Sequence, residues 1–152
     1  MRPFHKLFNA GTSEGVRKGW ESRRGGFPST DVHGNQFGGL TDNDALQKAG
    51  ASDSSAFSTK TKSPEEFQSH KASRDAYYAS SNAFRAAGKP DEFSRHDQAE
   101  KLHAEAGRQH RARGDWESAQ SHEQHAAGHA TMSDNLKWEH GGKPATHWDS
   151  SD

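Results

Sequence analysis

Residues 64–70, PEEFQSH, and residues 90–96, PDEFSRH, are two versions of one run, and their reading decides the fold. In Ser63-Pro64-Glu65-Glu66 a hydroxyl stands at the N-cap, a proline at the first helical position and a glutamate where a capping box needs it. Phe67, His70, Arg74, Tyr77, Ser81 and Phe84 then follow at steps of three and four, so a helix is expected up to Gly88. Pro90-Asp91-Glu92 opens a second helix with the stripe Phe93, His96, Ala99, His103, Ala106, His110, which Gly114 ends. Asp115 caps a third, with Trp116, Ala119, His122, Ala126 and His129 on one face, fading before Gly141-Gly142.

A shift of 26 residues superposes these segments: His70 falls on His96 and His122, Tyr77 on His103 and His129, and Gly88 on Gly114. A repeat this short holds one helix and its turn, so successive helices run antiparallel. The expectation is an all-α chain in which residues 63–141 form a three-helix up-down-up antiparallel bundle. Residues 1–62 read as an extended arm and residues 142–152 as a flexible tail.

Within the arm, residues 12–24 allow a short helix with Thr12 or Ser13 as N-cap and Gly25-Gly26 as the stop. From Gly25 to Lys62 the chain is dominated by Gly, Ser, Thr, Asn and Asp, with large apolar residues at no helical or strand period. Such a segment does not bury a layer of its own. Trp20, Phe27, Phe37, Leu40 and Phe57 are therefore read as partner-docking residues, each an anchor for a neighbour's groove.

Composition narrows the classes. Only 28% of the 152 residues are hydrophobic, against a usual figure of roughly 45%, so the core is thin and oligomerisation or docking is expected to complete it. With no cysteine, disulfides and thiolate metal sites are excluded. The start, MRPFHKLFNAG, lacks the apolar run of a signal peptide, and no stretch approaches the roughly 20 apolar residues of a membrane span. Residues 1–62 carry nine Lys/Arg against six Asp/Glu and the remainder eleven against fifteen, too even for a basic nucleic-acid domain.

Where leucine would normally sit, the inward faces of the second and third helices alternate alanine with histidine. His70, His110, His122, His125 and His129 are the candidate metal ligands, since antiparallel packing can bring the first two near His122. The competing reading satisfies each ring on neighbouring Glu, Gln or Ser, and with no HExxH motif the assignment is no metal and no cofactor. Clustered histidines predict a bundle destabilised below about pH 6.

No phosphate loop and no GxSxG elbow is present, and the acid pairs lie in first turns where the helix dipole favours them, so no enzyme activity is expected. Arg17, Lys18, Arg23 and Arg24, beside Trp20, are candidates for phosphate contact, with glutamates interleaved.

Residues 11–24, GTSEGVRKGWESRR, resemble a stretch in structural and head-associated virion proteins of tailed bacteriophages, and the Ala/His-rich helices resemble helical extensions in the same group. The resemblance carries no catalytic motif. It implies a non-enzymatic virion component, associated with capsid, portal or tail, made in the host cytoplasm and docking on other virion proteins as a homo- or hetero-oligomer. It implies no membrane and no small-molecule substrate. The alternative is a nucleic-acid-binding or DNA-packaging or ejection accessory protein.

Overall fold

A computed structural model describes residues 26–30 and 33–139. It contains two short strands, β1 (Gly26–Phe27) and β2 (Leu40–Thr41), and four helices: α1 (Asp42–Thr59), α2 (Pro64–Arg85), α3 (Glu92–Ala112) and α4 (Trp116–Glu139). The expected arm followed by a three-helix bundle is therefore overturned. A fourth helix and a two-stranded antiparallel sheet, with Phe27 opposite Leu40, occupy the part of the arm described here. The short helix over 12–24, Trp20, the four basic residues Arg17, Lys18, Arg23 and Arg24, and the tail 142–152 lie outside the described residues.

The physical reason for the missed helix is the size of the residues on its buried face. Ala45, Ala49 and Ala56, at spacings of four and seven, are the residues α1 buries. A periodicity sought in large apolar side chains passes over such a stripe, because Leu46 and Phe57 lie off it. The start signal is ordinary: Thr41 accepts a hydrogen bond from the Asp44 amide at 3.0 Å, with Asp42 and Asp44 in the first turn. Alanine lets α1 lie close to α2, and polar contacts set the alignment. Arg74 reaches Asp53 at 2.9 Å, while Asp42 accepts from both Ser81 and Arg85.

Two of the remaining helices start by side-chain capping, whereas Asp91 before α3 makes no such hydrogen bond. Ser63 caps α2 by accepting from the Glu66 amide, and Asp115 caps α4 by accepting from the Ser118 amide at 3.2 Å. Gly88 and Gly114 end the preceding helices in left-handed conformations, φ +80° and +82°. α1 packs on α2, α2 on α3 and α3 on α4, whereas α1 and α4 make no comparable contact. The antiparallel four-helix array is thus open along the α1–α4 side.

The β1–β2 segment wedges into one half of that opening. Phe27 meets Phe84 of α2 edge-on at 5.6 Å and His129 of α4 at 5.0 Å, over Gly128, where a Cβ would lie 2.8 Å from the ring. Phe27, Phe37 and Leu40 join Ala45, Ala49, Tyr77, Phe84 and Met132 in one buried cluster. These three are corrected as docking residues, since they fill this chain's own groove rather than a neighbour's. Phe57 differs, being 82% exposed.

Candidate functional site: a buried histidine–serine line and its cleft

His96, His103 and His110 recur every seven residues on α3, His122 and His129 on α4, and Ser73 and Ser80 on α2. Seven residues is close to two helical turns, so each set stands on one line of its helix and the three lines converge inside the bundle. All seven side chains are buried.

They join end to end. Nδ1 of His110 lies 3.1 Å from Oδ2 of Asp115, and its Nε2 is 2.8 Å from Oγ of Ser73. That hydroxyl is also 2.8 Å from Nε2 of His122, whose Nδ1 meets Nδ1 of His103 at 2.9 Å. Nε2 of His103 and Nε2 of His129 each lie 2.7 Å from Oγ of Ser80, and Nδ1 of His129 is 2.8 Å from Nδ1 of His96. Beyond it, Nε2 of His96 stands 3.9 Å from the carboxylate of Glu92, which accepts the Gly88 amide at 3.1 Å. From His110 to His96 the line covers fourteen residues of α3, about 20 Å along the axis.

Burial sets the charge of these rings. It pushes the pKa of His103 and His129 well below the ordinary imidazole value, and neighbouring histidines push the same way. His122 is lowered to about 3 by burial, with His110, His125 and Lys48 adding to it. His125 is lowered to about 4 by burial, against the opposing hydrogen bond to the Phe37 carbonyl. His110 is lowered by burial and Arg113, with Asp115 opposing. Asp115 sits below the usual carboxylate range: partial burial acts the other way, but hydrogen bonds from Ser118 and His110 outweigh it. At neutral pH these rings are neutral and the acid at the end is ionised.

The half of the α1–α4 opening left free by the β1–β2 wedge is a cleft of about 390 Å³ at the Asp115 end. Lys48 and Ser52 line it from α1, His70, Ser73 and Tyr77 from α2, His110 from α3, and Ser121 and His122 from α4. The array does bring the histidines together, with His70 and His110 centroids 5.9 Å apart and His110 and His122 5.4 Å apart. Their nitrogens, however, aim at serines and at each other. Among the described residues no group of three or more His, Cys, Asp or Glu could hold a metal ion. His125 stands aside from the line, with Nδ1 3.1 Å from the Phe37 carbonyl.

Ser73, His110 and Asp115 have the connectivity of a nucleophilic triad. Three facts weigh against that chemistry. Ser73 lies inside α2, where backbone amides are bonded within the helix and offer no oxyanion donors. Its Oγ carries a second histidine, His122, which holds a lone pair of the would-be nucleophile. The same serine between two histidines recurs at Ser80, fully buried beyond the reach of a substrate. The repeated unit is a way of building a core.

The histidine and alanine stripes were visible in the sequence, but the serines were missed. The sequence pattern puts Arg74 and Ser81 on the α2 face, whereas the residues turned to the histidines are Ser73 and Ser80. Their seven-residue spacing, the same as that of His96 and His103, was the available signal. No family model, no curated protein and no solved structure matches this chain.

Proposed function

We propose that this chain is a non-enzymatic assembly module, a structural component of a tailed-phage virion that docks on neighbouring proteins through aromatic residues held outside its bundle. One observation carries the reading. In a chain so poor in apolar residues, Phe57, Trp116 and Trp138 are 82%, 60% and 83% exposed, while serine and histidine fill the interior. Large aromatics left in water while polar groups are buried inverts the usual order, and the inversion makes sense if a partner covers them. The likeness of GTSEGVRKGWESRR to phage structural proteins supports the virion as the setting. Phe57 ends α1 and Trp116 begins α4, which the topology places at one end of the array, with Trp138 at the other.

Mass spectrometry of purified particles tests the setting: the chain is expected in stoichiometric copies. Changing Phe57, Trp116 and Trp138 to serine is expected to leave thermal stability nearly unaltered, as for most exposed sites (within about 0.5 kcal/mol each), while abolishing incorporation. A chain missing from particles, but binding DNA with steep salt dependence through Arg17, Lys18, Arg23 and Arg24, would replace this reading with that of a DNA accessory protein.

A further inference from the structure

The buried line has a direction that follows from the hydrogens it holds. The Asp115 carboxylate only accepts, and at 3.1 Å it lies nearer to Nδ1 of His110 than does the Arg113 guanidinium at 3.5 Å, so His110 donates to Asp115 from Nδ1 and, being neutral, accepts at Nε2 from the Ser73 hydroxyl. The Ser73 oxygen then accepts from Nε2 of His122, whose Nδ1 accepts from Nδ1 of His103. Nε2 of His103 accepts from the Ser80 hydroxyl, Ser80 accepts from Nε2 of His129, and Nδ1 of His129 accepts from Nδ1 of His96. With all five rings in the neutral form, rings and hydroxyls together hold seven polar hydrogens, and each serves one of the seven bonds. Every ring on α3 is therefore protonated on Nδ1 and both rings of the line on α4 on Nε2.

We propose that this line is a proton relay joining the cleft at Asp115 to the α2–α3 turn at Glu92, reversible as a unit. In the forward stroke a proton taken up at the Glu92 carboxylate is delivered to Nε2 of His96 once the 3.9 Å gap between them closes. His96 gives its Nδ1 hydrogen to Nδ1 of His129, which gives its Nε2 hydrogen to Ser80, which gives its hydroxyl hydrogen to Nε2 of His103. His103 gives its Nδ1 hydrogen to His122, His122 its Nε2 hydrogen to Ser73, Ser73 its hydroxyl hydrogen to His110, and His110 its Nδ1 hydrogen to Asp115. The net change is one proton moved from Glu92 to Asp115, with every ring neutral at the start and the end.

The two ends are unequal. The 3.1 Å contact at Asp115 against the 3.9 Å separation at Glu92 sets the resting direction toward Asp115. Charged groups act on the Asp115 half and on the Glu92 end: Arg113 and His70 face His110, Lys48 acts from α1 on His122 and on His125 beside the line, and Glu92 faces His96. The Ser80 segment between them is walled by Phe84, stacked on His129, and by Tyr77 against His103. Because the Glu92 carboxylate accepts the Gly88 amide, the end that holds the proton also affects the closure of the α2–α3 turn. A charged group entering the cleft is thereby communicated about 20 Å along the bundle. This inference does not depend on the assembly role.

Long-range proton–nitrogen NMR of the ¹⁵N-labelled full chain at pH 7.5 tests it. The expected result is protonated Nδ1 in His96, His103 and His110 and protonated Nε2 in His122 and His129. In Asp115→Asn an amide that either donates or accepts replaces the acceptor-only group, so all five rings shift together toward mixed tautomers, distant His96 included. A change confined to His110 overturns the relay. The wild-type spectrum overturns it independently of any variant if the α3 and α4 rings do not fall into these two opposite classes.

Discussion

Lowering the pH from 7.5 to 5 places the buried histidines in conflict with the fold, and the cost can be worked for two of them. The folded pKa of His122 is about 3 and that of His125 about 4, whereas both approach 6.5 in the unfolded chain. Their folded values are depressed, so the unfolded chain binds protons first. Stability is full above the unfolded value and is lost as pH falls below 6.5, until the folded value is reached. At pH 5 each neutral ring forgoes protonation worth about 2 kcal/mol, at 1.36 kcal/mol per pH unit over 1.5 units. The pair costs about 4 kcal/mol, and His103, His129 and His110 act in the same direction. Asp115 also loses stability in acid, but its depressed pKa puts that loss below pH 3.8, outside this window. A domain of this size has roughly 5–15 kcal/mol in total. The melting temperature followed by circular dichroism at 222 nm should therefore fall by roughly 15 °C or more between pH 7.5 and 5. A fall of under about 5 °C would refute the reasoning, because rings that stay neutral in the folded chain cannot avoid this penalty.

Substitutions at three places probe the elements separately. Ser80→Ala leaves two buried ring nitrogens without their partner and should cost about 2–4 kcal/mol in chemical denaturation, whereas Ser73→Ala, beside the cleft where water can enter, should cost less. Gly128→Ala drives a methyl into the Phe27 ring and should destabilise by about 1–3 kcal/mol, an effect that Phe27→Leu in the same chain should relieve. Thr41→Ala removes the cap of α1 and should cost about 1 kcal/mol. Unchanged stability there would show that α1 is held by its alanine face alone.

Where a helix announces itself by capping chemistry and large apolar steps, the sequence was enough: Ser63, Pro64 and Glu66 start α2, Asp115 starts α4, and Gly88 and Gly114 stop their predecessors. Capping works within four or five residues, so its signals are contained in the local sequence. α1 failed that test because its interface is Ala45, Ala49 and Ala56, and a stripe of single methyl groups stands out less from polar neighbours than one of large apolar side chains. Phe27, Phe37 and Leu40 were legible as anchors, but not the groove they enter.

The sequence by itself thus determined the starts of α2 and α4, the glycine stops after α2 and α3, the 26-residue repeat and the inward face of alternating alanine and histidine on α3 and α4. Only the tertiary structure decided that a fourth helix leaves one side of the array open, that the chain's own β1–β2 segment closes half of it, and that Ser73 and Ser80 tie the histidines into one line. The division has a physical cause. Helix ends depend on neighbours along the chain, whereas an imidazole finds its partner across the bundle, on residues 19 to 49 positions away.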